Sequence, residues 1–215
     1  MQKHSIYTHV IWDFNGTIFD DVQLGMDCVN IMLSKRGLPI LGNKETYRRV
    51  FGFPIEDYYR RVGFDFEKED YHTVLAPEWV ALYVEGEPHC RLNEGVRETM
   101  EEISARNIPQ IMLSASNLMQ LKAQVSRLGV ACFFDEILGL DNIHARSKAL
   151  LAIQWKAENP ESIPLLVGDT EHDAEVAAAI GADCLLFTGG HQAEEILEAK
   201  GKPLISNITH VLKYL

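Results

Sequence analysis

Short apolar runs alternate with amphipathic stretches through most of the chain. Six runs are bounded by polar or turn-forming residues and predict buried strands at residues 10–12, 108–113, 133–138, 163–167, 184–187 and 204–205. Helical spacing predicts helices at residues 94–106, 118–128, 148–158, 171–180, 193–200 and 208–215. Strands that alternate with helices of ~10–14 residues are typical of βαβ units, so this pattern predicts an α/β fold with a parallel sheet.

The stretch after the first run has a different pattern, with helical spacing and no strand-like segment. It predicts helices at residues 22–36, at a short segment ending at Val50, and at residues 54–62 and 67–84, the last one kinked or divided at Pro77. Asn43 or Thr46 is the expected cap of the short helix. We therefore predict an all-α domain, residues 21–87, inserted into a core formed by residues 1–20 and 88–215.

Length and composition narrow the functional classes. The 215 residues allow one large domain, or one domain that carries a smaller insert. Hydrophobic residues make up 47% of the chain and charged residues 24%, as in folded globular proteins. The net charge of −11 comes without a dense basic patch, so we expect neither nucleic acid nor a membrane as a partner. The four cysteines are scattered and no run is long enough to span a membrane, which predicts a cytoplasmic protein.

Three of the predicted strands end in residues that can bind a metal ion or a phosphate group. Asp13 and Thr17 follow the first strand, Ser114 follows the second, and Asp169 and Asp173 follow the strand at residues 163–167. We expect these side chains to converge, because the carboxyl ends of parallel strands share one edge of a sheet, and Lys148 lies on a segment between two of these strands. Three carboxylates side by side repel one another, and a hard divalent cation such as Mg²⁺ would relieve that repulsion.

Such a site would suit a phosphate-sized anion. The metal ion and Lys148 would neutralise phosphate oxygens, while the hydroxyls of Thr17 and Ser114 donate hydrogen bonds. A free carboxylate beside the phosphate can act as the nucleophile of phosphoryl transfer, through an aspartyl-phosphate. The residues therefore predict chemistry on a small phosphorylated metabolite.

Four motifs in this order resemble the haloacid dehalogenase superfamily of hydrolases, in the type with a helical cap after the first strand. They are Asp13-Phe14-Asn15-Gly16-Thr17, then Ser114, then Lys148, and finally Gly168-Asp169-Thr170-Glu171-His172-Asp173. The resemblance covers nearly the whole chain, and the first and last motifs are specific as a pair. The helical insertion, with the segment Arg49-Val50-Phe51-Gly52-Phe53-Pro54, is similar to the phosphoglycolate-phosphatase-like members. The resemblance implies a Rossmann-like core, an all-α cap and a Mg²⁺-dependent phosphatase.

The resemblance also implies a set of metal ligands. Asp13 is expected to be both the nucleophile and a ligand of Mg²⁺. The backbone carbonyl of Asn15 and the carboxylate of Asp169 are expected to be further ligands. Asp173 is expected to support the metal, through water.

A second implied set holds the phosphoryl group and the rest of the substrate. Thr17, Ser114 and Lys148 are expected to hold the phosphoryl group, and Lys148 joins Asp13 and Asn15 in the catalytic set. Arg49 could pair with a substrate carboxylate or a second phosphate, or it could lie on a solvated helix face.

Aromatic residues of the predicted cap leave two interpretations open. Phe51, Phe53, Tyr58 and Tyr59 could form a lid that excludes water from the site. Equally, they could form the hydrophobic core of the cap.

Asn15 departs from the family pattern, in which an Asp two residues after the nucleophile protonates the leaving oxygen and then activates water. An amide can do neither near neutral pH, and general acid–base help is worth ~10²–10⁴ in rate. The enzyme could therefore be slow, could act on good leaving groups such as aryl or acyl phosphates, or could use another residue as the acid. His172 is the obvious substitute, unless it is a solvent-facing loop residue.

Two alternatives to a phosphatase follow from Asn15. The chain could be a catalytically weakened phosphate-binding or regulatory module. A phosphonatase also lacks the second Asp but needs a cap lysine that reaches the site, and none of Lys35, Lys44 and Lys68 is expected to do so. The sequence does not fix the oligomeric state.

Overall fold

The fold is seen in a computed structural model that describes residues 5–140 and 147–215. Its strands, in chain order, are β1 His9–Trp12, β2 Phe19–Asp20, β3 Arg91–Leu92, β4 Gln110–Asn117, β5 Glu136–Leu140, β6 Pro164–Gly168, β7 Asp183–Phe187 and β8 Leu204–Ile205. Six of them form one parallel sheet in the order β5-β4-β1-β6-β7-β8. The predicted α/β class is therefore confirmed.

Nine α-helices are found in the part of the chain that the structure describes. In chain order they are α1 Val22–Lys35, α2 Lys44–Val50, α3 Ile55–Val62, α4 Ala76–Gly86, α5 Val96–Ala105, α6 Leu118–Arg127, α7 Lys148–Glu158, α8 Glu171–Ala179 and α9 Glu194–Glu198. The first four lie between β2 and β3, and the other five follow β3. The helices therefore divide into an inserted group and a group that alternates with the strands.

The two faces of the sheet are covered by different helices. Successive side chains of a strand point to opposite faces, and β1 shows this directly. Val10 and Trp12 pack in a hydrophobic cluster with α5 and α6, whereas Ile11 packs in a second cluster with α7 and α8. All three side chains are almost completely buried, as expected for a central strand of a parallel sheet. This position fixes the residue after β1, Asp13, at the middle of the carboxyl edge.

The inserted helices have a hydrophobic core of their own. Residues from α1, α2, α3 and α4 contribute to this third cluster, together with Leu75. The short helix α2 is capped by Asn43, whose Oδ1 accepts a hydrogen bond of 2.8 Å from the amide of Thr46. Of the two caps expected from the sequence, the structure therefore shows Asn43.

The predicted helix at residues 67–84 starts later than expected. Residues 66–69 form turns and a bend, and a π-helical turn, Tyr71–Leu75, precedes α4. Asp70 caps that turn by accepting a hydrogen bond from the amide of Thr73, which places the helix start after the acidic stretch. Pro77 sits in the first turn of α4, where a missing amide proton costs nothing, so it causes no break.

Other differences concern short elements near the sheet. The antiparallel ribbon of β2 and β3 was not predicted, because two-residue strands carry no periodicity. The strand expected at residues 133–138 starts at Glu136, since Ala131–Phe133 form a 3-10 turn. The terminal helix is a 3-10 helix, Ile208–Lys213.

The insertion boundaries stay a prediction, and the predicted core includes residues 1–4 and 141–146, which lie outside the described residues. Within the described ranges, no helix combines the length and the hydropathy that crossing a bilayer requires.

Candidate active site

Three buried carboxylates meet at the carboxyl edge of the sheet. Asp13 follows β1, Asp169 follows the neighbouring strand β6, and Asp173 lies in the first turn of α8. Each contributes one oxygen to a group in which all atoms lie within 4.8 Å of one another. The side chains that the sequence assigned to metal binding are therefore brought together.

Lys148 bridges two of these carboxylates. It is the first residue of α7, and its buried ammonium group donates hydrogen bonds to Oδ1 of Asp13 and, at 2.5 Å, to Oδ1 of Asp173. One lysine against three carboxylates leaves an excess of negative charge in a buried place. Such an excess is costly unless a further cation balances it.

The pKa values of the carboxylates reflect this excess of buried negative charge. Burial raises the pKa of Asp13 well above its ordinary value, and the neighbouring Asp173 and Asp169 add to the rise although Lys148 opposes it. Burial, with Asp173 as a further contributor, also raises the pKa of Asp169 to about 6. A divalent cation would favour the ionised forms of both groups.

The donor set fits Mg²⁺. Carboxylate oxygens are the ligands that a hard divalent cation prefers, and the charge left after pairing with Lys148 has the matching sign. Of the two carboxylate oxygens of Asp13, Oδ1 accepts the hydrogen bond from Lys148, and Oδ2 has no hydrogen-bond partner among the described residues.

Asp169 is held by backbone that approaches it closely. Its carboxylate accepts hydrogen bonds from Thr17 Oγ1 at 3.1 Å and from the amide of His191 at 2.6 Å. A Cβ atom added to Gly16 or to Gly190 would collide with this carboxylate, and Gly16 also has a φ of +75°. Only glycine permits both the approach and the turn, so these positions form a cradle around the acid.

Asp173 is oriented by the start of its own helix. Its Oδ2 accepts hydrogen bonds from the amide of Thr170 at 3.0 Å and from Thr170 Oγ1 at 2.6 Å, which forms a capping box. Burial raises the pKa of Asp173, but Lys148 and Thr170 lower it more, so that the net pKa lies below its ordinary value. The group is therefore ionised and fixed in direction.

Asn15 is tied into a hydrogen-bond network on the cap side of the cluster. Its Nδ2 donates to Asp21 Oδ2 and to the hydroxyl of Tyr83, both at 2.8 Å. Its Oδ1 accepts from Ser116 Oγ at 2.9 Å. All three contacts suit an amide, which both donates and accepts, so the residue is a structural member of the network.

The same network contains a buried ion pair that the sequence did not reveal. His191 Nε2 lies 3.1 Å from Asp21 Oδ1, and His191 Nδ1 lies 2.8 Å from the hydroxyl of Tyr47. Burial lowers the pKa of His191, but Asp21, with Asp169 and Asp13 nearby, raises it to about 9. Burial raises the pKa of Asp21, but His191, Tyr83 and Asn15 lower it below its ordinary value.

A signal for His191 was present but incomplete. Gly189-Gly190 follows β7 and therefore lies on the edge of the sheet where the other site residues converge, next to His191. Asp21 belongs to no motif in the sequence, yet only 2% of its surface is exposed.

A cavity of about 490 Å³ opens above the carboxylates. Asp13, Ser114, Lys148, Asp169 and Asp173 line its floor. Its other described walls come largely from the cap, with the aromatic residues Phe51, Phe53, Tyr58, Tyr59, Trp79 and Tyr83 among them. Phe51, Phe53, Tyr58 and Tyr59 thus face the site, and Tyr58 and Tyr59 are also part of the cap core.

Arg49 is not brought to this cavity. It is a surface residue whose guanidinium group pairs with Glu45 at 2.7 Å and with Glu195 at 3.4 Å. Helical geometry explains the position, because Glu45 and Arg49 are one turn apart on the exposed face of α2. We therefore remove Arg49 from the substrate-binding set expected from the sequence.

Of the other candidates from the sequence, His172 faces the cavity, and the described cap lysines do not. His172 lines the cavity and packs on Phe53, with ring centroids 5.0 Å apart. Of the cap lysines, Lys35 pairs with Glu78 and Lys68 with Asp65, and no cap lysine is among the described residues of the cavity wall. This arrangement offers no support for a phosphonatase.

A parallel α/β core with a carboxylate–lysine cluster at its carboxyl edge and a helical insertion above it is typical of capped hydrolases that act at an aspartate. The chain belongs to the haloacid dehalogenase-like hydrolase family, whose profile matches residues 10–187. The family resemblance inferred from the motifs is thus confirmed.

Individual relatives are similar over most of their length. A phosphoglycolate phosphatase of Pseudomonas putida is 24% identical over 204 residues, which span 91% of this chain and 75% of that protein. A haloacid dehalogenase-like hydrolase from Streptococcus pneumoniae has a similar structure, with a TM-score of 0.81, 21% identity and coverage of 97% and 98% of the two chains. A predicted phosphoglycolate phosphatase from Haemophilus somnus gives a TM-score of 0.77 at 16% identity, covering 98% and 99%.

Proposed function

We propose that this protein is a Mg²⁺-dependent phosphatase of a small phosphorylated metabolite, which acts through an aspartyl-phosphate on Asp13. The observation that carries this proposal is the buried cluster of Asp13, Asp169, Asp173 and Lys148 at the floor of a substrate-sized cavity. The similarity to phosphoglycolate phosphatases supports the same chemistry. We also propose a cytoplasmic protein that needs neither nucleic acid nor a membrane.

The chain supplies a nucleophile and a lysine for the first step. Oδ2 of Asp13 attacks phosphorus, the bond from phosphorus to the leaving oxygen breaks, and the leaving group takes the electron pair. Lys148 and the hydroxyl of Ser114, which line the cavity floor, are assigned to hold the phosphoryl oxygens. Thr17 was expected to share this task, but it is fully buried outside the described lining and its hydroxyl donates to Asp169, so it is assigned instead to orient that carboxylate. Bound Mg²⁺, with Asp13, Asp169, the carbonyl of Asn15 and the support of Asp173, would supply positive charge beside the phosphoryl group.

Asn15 sets a limit on this chemistry. Its amide cannot give a proton to the leaving oxygen, and its hydrogen bonds to Asp21, Tyr83 and Ser116 keep it in place. The leaving group must therefore depart as a stable anion or take its proton from water. We propose a phosphatase that favours good leaving groups and hydrolyses alkyl phosphates slowly.

The test is phosphate release from a panel of phosphate esters with Mg²⁺. We expect release that disappears when a chelator removes the metal and returns when Mg²⁺ is added back. Asp13→Asn should abolish release, while Asp27→Asn, an exposed acidic residue of α1, serves as the matched control. No release from any ester at high enzyme concentration would contradict the proposal.

A second candidate function is favoured by the same amide. A chain that is phosphorylated on Asp13 but cannot activate water would remain in the phosphorylated form and act as a phosphate-binding or regulatory module. The distinction lies in turnover, since a phosphatase releases many phosphates per chain, whereas a module of this kind releases no more than about one.

A further inference from the structure

The wall of the cavity opposite the carboxylates is built from aromatic rings. Phe51 packs against Tyr58 with ring centroids 5.3 Å apart, and Tyr58 packs edge-on against Tyr59 at 5.7 Å. Across the cavity lining, Trp79 stacks on Tyr83 at 4.7 Å. Offset and edge-to-face contacts of this kind extend readily to another ring placed among them.

The rim of the cavity is apolar as well. Val80 and Val84, one turn apart on α4, line the cavity and are 47% and 46% exposed. Phe53 also lines the cavity and is 37% exposed. Exposed apolar side chains at the mouth of a pocket lose contact with water when an apolar ligand covers them.

The described lining offers no free cation for a substrate carboxylate. Lys148 is engaged by Asp13 and Asp173, and His191 is paired with Asp21. His172 Nδ1 lies 3.6 Å from Glu175 Oε2, and its ring packs on Phe53. A second negative charge on the substrate would therefore find no arginine and no unpaired lysine among the described wall residues to neutralise it.

Leaving-group chemistry points in the same direction. Without an acid at Asn15, the leaving oxygen departs as an anion, and its stability governs the rate. A phenol such as the tyrosine side chain ionises with a pKa near ~10, far below the pKa of water. An aromatic leaving group can depart as a stable anion without an acid, and its ring can pack on the aromatic wall.

We propose that the physiological substrate class is aromatic phosphate monoesters, whose ring lies between the aromatic wall of the cap and the valine rim. The inference rests on the proposed phosphatase function for its turnover, because the ring occupies the cavity above Asp13. The binding of the ring does not depend on the proposed phosphatase function. The phosphate group lies at the carboxylate floor, and the uncharged ring replaces the second anionic group that phosphoglycolate carries.

The first experiment compares turnover of 1-naphthyl phosphate and phosphoglycolate by the full chain with Mg²⁺. We expect kcat/KM for 1-naphthyl phosphate to exceed that for phosphoglycolate by at least about 100-fold, from leaving-group stability and ring burial together. Equal values, or a preference for phosphoglycolate, would overturn the substrate class and leave the proposed phosphatase function standing.

The second experiment separates binding from chemistry with two inhibitors that cannot be hydrolysed. We expect phenylphosphonate to bind at least about tenfold more tightly than methylphosphonate in the presence of Mg²⁺, because only phenylphosphonate has a ring to bury. This comparison decides the inference even if no ester is turned over. Absent turnover then contradicts the phosphatase, whereas equal dissociation constants contradict the aromatic site.

A matched pair of valines locates the ring. Val80 lines the cavity, whereas Val74 is a cap residue outside its lining with a similar exposure of 40%. Val80→Ser should weaken phenylphosphonate binding by about three- to tenfold and change methylphosphonate binding little. Val74→Ser should leave both dissociation constants unchanged. Equal effects of the two variants on phenylphosphonate would place the ring elsewhere and overturn the proposal.

Discussion

The core half and the cap half of the cavity are built on opposite physical principles. The floor, contributed by the core, holds charged groups that are almost completely buried and bound to one another, as Asp13, Asp173 and Lys148 are. The wall, contributed by the cap, consists of aromatic and aliphatic side chains, several of which remain exposed at the rim.

This contrast assigns different tasks to the two halves. Charges in a low-dielectric floor act strongly on a phosphoryl group, and their mutual hydrogen bonds keep them in position before a substrate arrives. Apolar walls act through area and shape, which discriminate among leaving groups but do no chemistry. Asn15 lies where the halves meet, and it joins them through Asp21 and Tyr83.

The largest expected effect comes from a substitution of Asp13, which belongs to the charged floor and not to the aromatic wall. Asp13→Asn removes the nucleophile, so we expect phosphate release to fall by about 10⁴-fold or more in a discontinuous phosphate assay. The floor also loses one of three repelling carboxylates, so this variant should unfold at no lower temperature than the natural protein when a chelator is present. Retained turnover would show that another group attacks phosphorus.

Asn15→Asp tests whether a missing acid, at the place where the floor and the wall of the cavity meet, is all that limits the hydrolysis of alkyl phosphates. The new carboxyl group faces Asp21, and two carboxylates this close share a proton, which makes one of them a proton donor. We expect turnover of an alkyl phosphate to rise by ~10²–10⁴. Acetyl phosphate, whose leaving group needs no proton, is the internal control, because the rate at which it phosphorylates Asp13 in the first turnover should change little. A uniform loss for both substrates would show that the amide is needed to hold the network.

The ion pair between His191 and Asp21 should make stability depend on pH. The pKa of His191 is raised to about 9, so its stabilising charge is fully present below its ordinary pKa of about 6.5 and is lost as the pH rises through 9. We expect the free energy of unfolding to fall by on the order of 3 kcal/mol across that window.

Urea unfolding in the presence of a chelator, at pH values on both sides of the window, measures this loss. His191→Gln keeps a hydrogen-bonding side chain but cannot carry the charge, so its stability should vary less across the window. The same pH dependence in both proteins would assign the effect to Asp13, whose pKa is also raised well above its ordinary value, and not to the histidine.

The smallest expected effect concerns Arg49. Its ion pairs with Glu45 and Glu195 lie at the surface, where such pairs contribute ~0–1 kcal/mol. Arg49→Ala should therefore leave the KM for an aromatic phosphate within about twofold and shift the unfolding midpoint only slightly. A large rise in KM would return Arg49 to the substrate site.

The core was more predictable from sequence than the cap, for a physical reason. The continuous apolar run of β1 and the turn chemistry at Asp13 and Asp169 are local signals, and parallel topology then forces the strand ends together. Lys148 was placed by the family resemblance, although its contacts with Asp13 and Asp173 span a large sequence separation.

The residues that the sequence left unassigned act through long-range contacts. His191 reaches Asp21 and Tyr47 from the far end of the chain, and neither spacing nor composition encodes such a meeting. Arg49 shows the converse, because a basic residue in a matched cap motif turned out to face solvent. Which face of a short helix is buried depends on tertiary packing, which a seven-residue pattern does not fix.

The most direct test of the account follows the first turnover with 1-naphthyl phosphate and Mg²⁺. Because Asn15 cannot activate water, hydrolysis of the intermediate should lag behind its formation. We predict a burst of about one naphthol per chain ahead of phosphate release, with phosphate found on Asp13 after rapid quenching. Simultaneous release of naphthol and phosphate from a chain that carries no phosphate would contradict the account. Phosphate found on another residue, such as His172, would also contradict it.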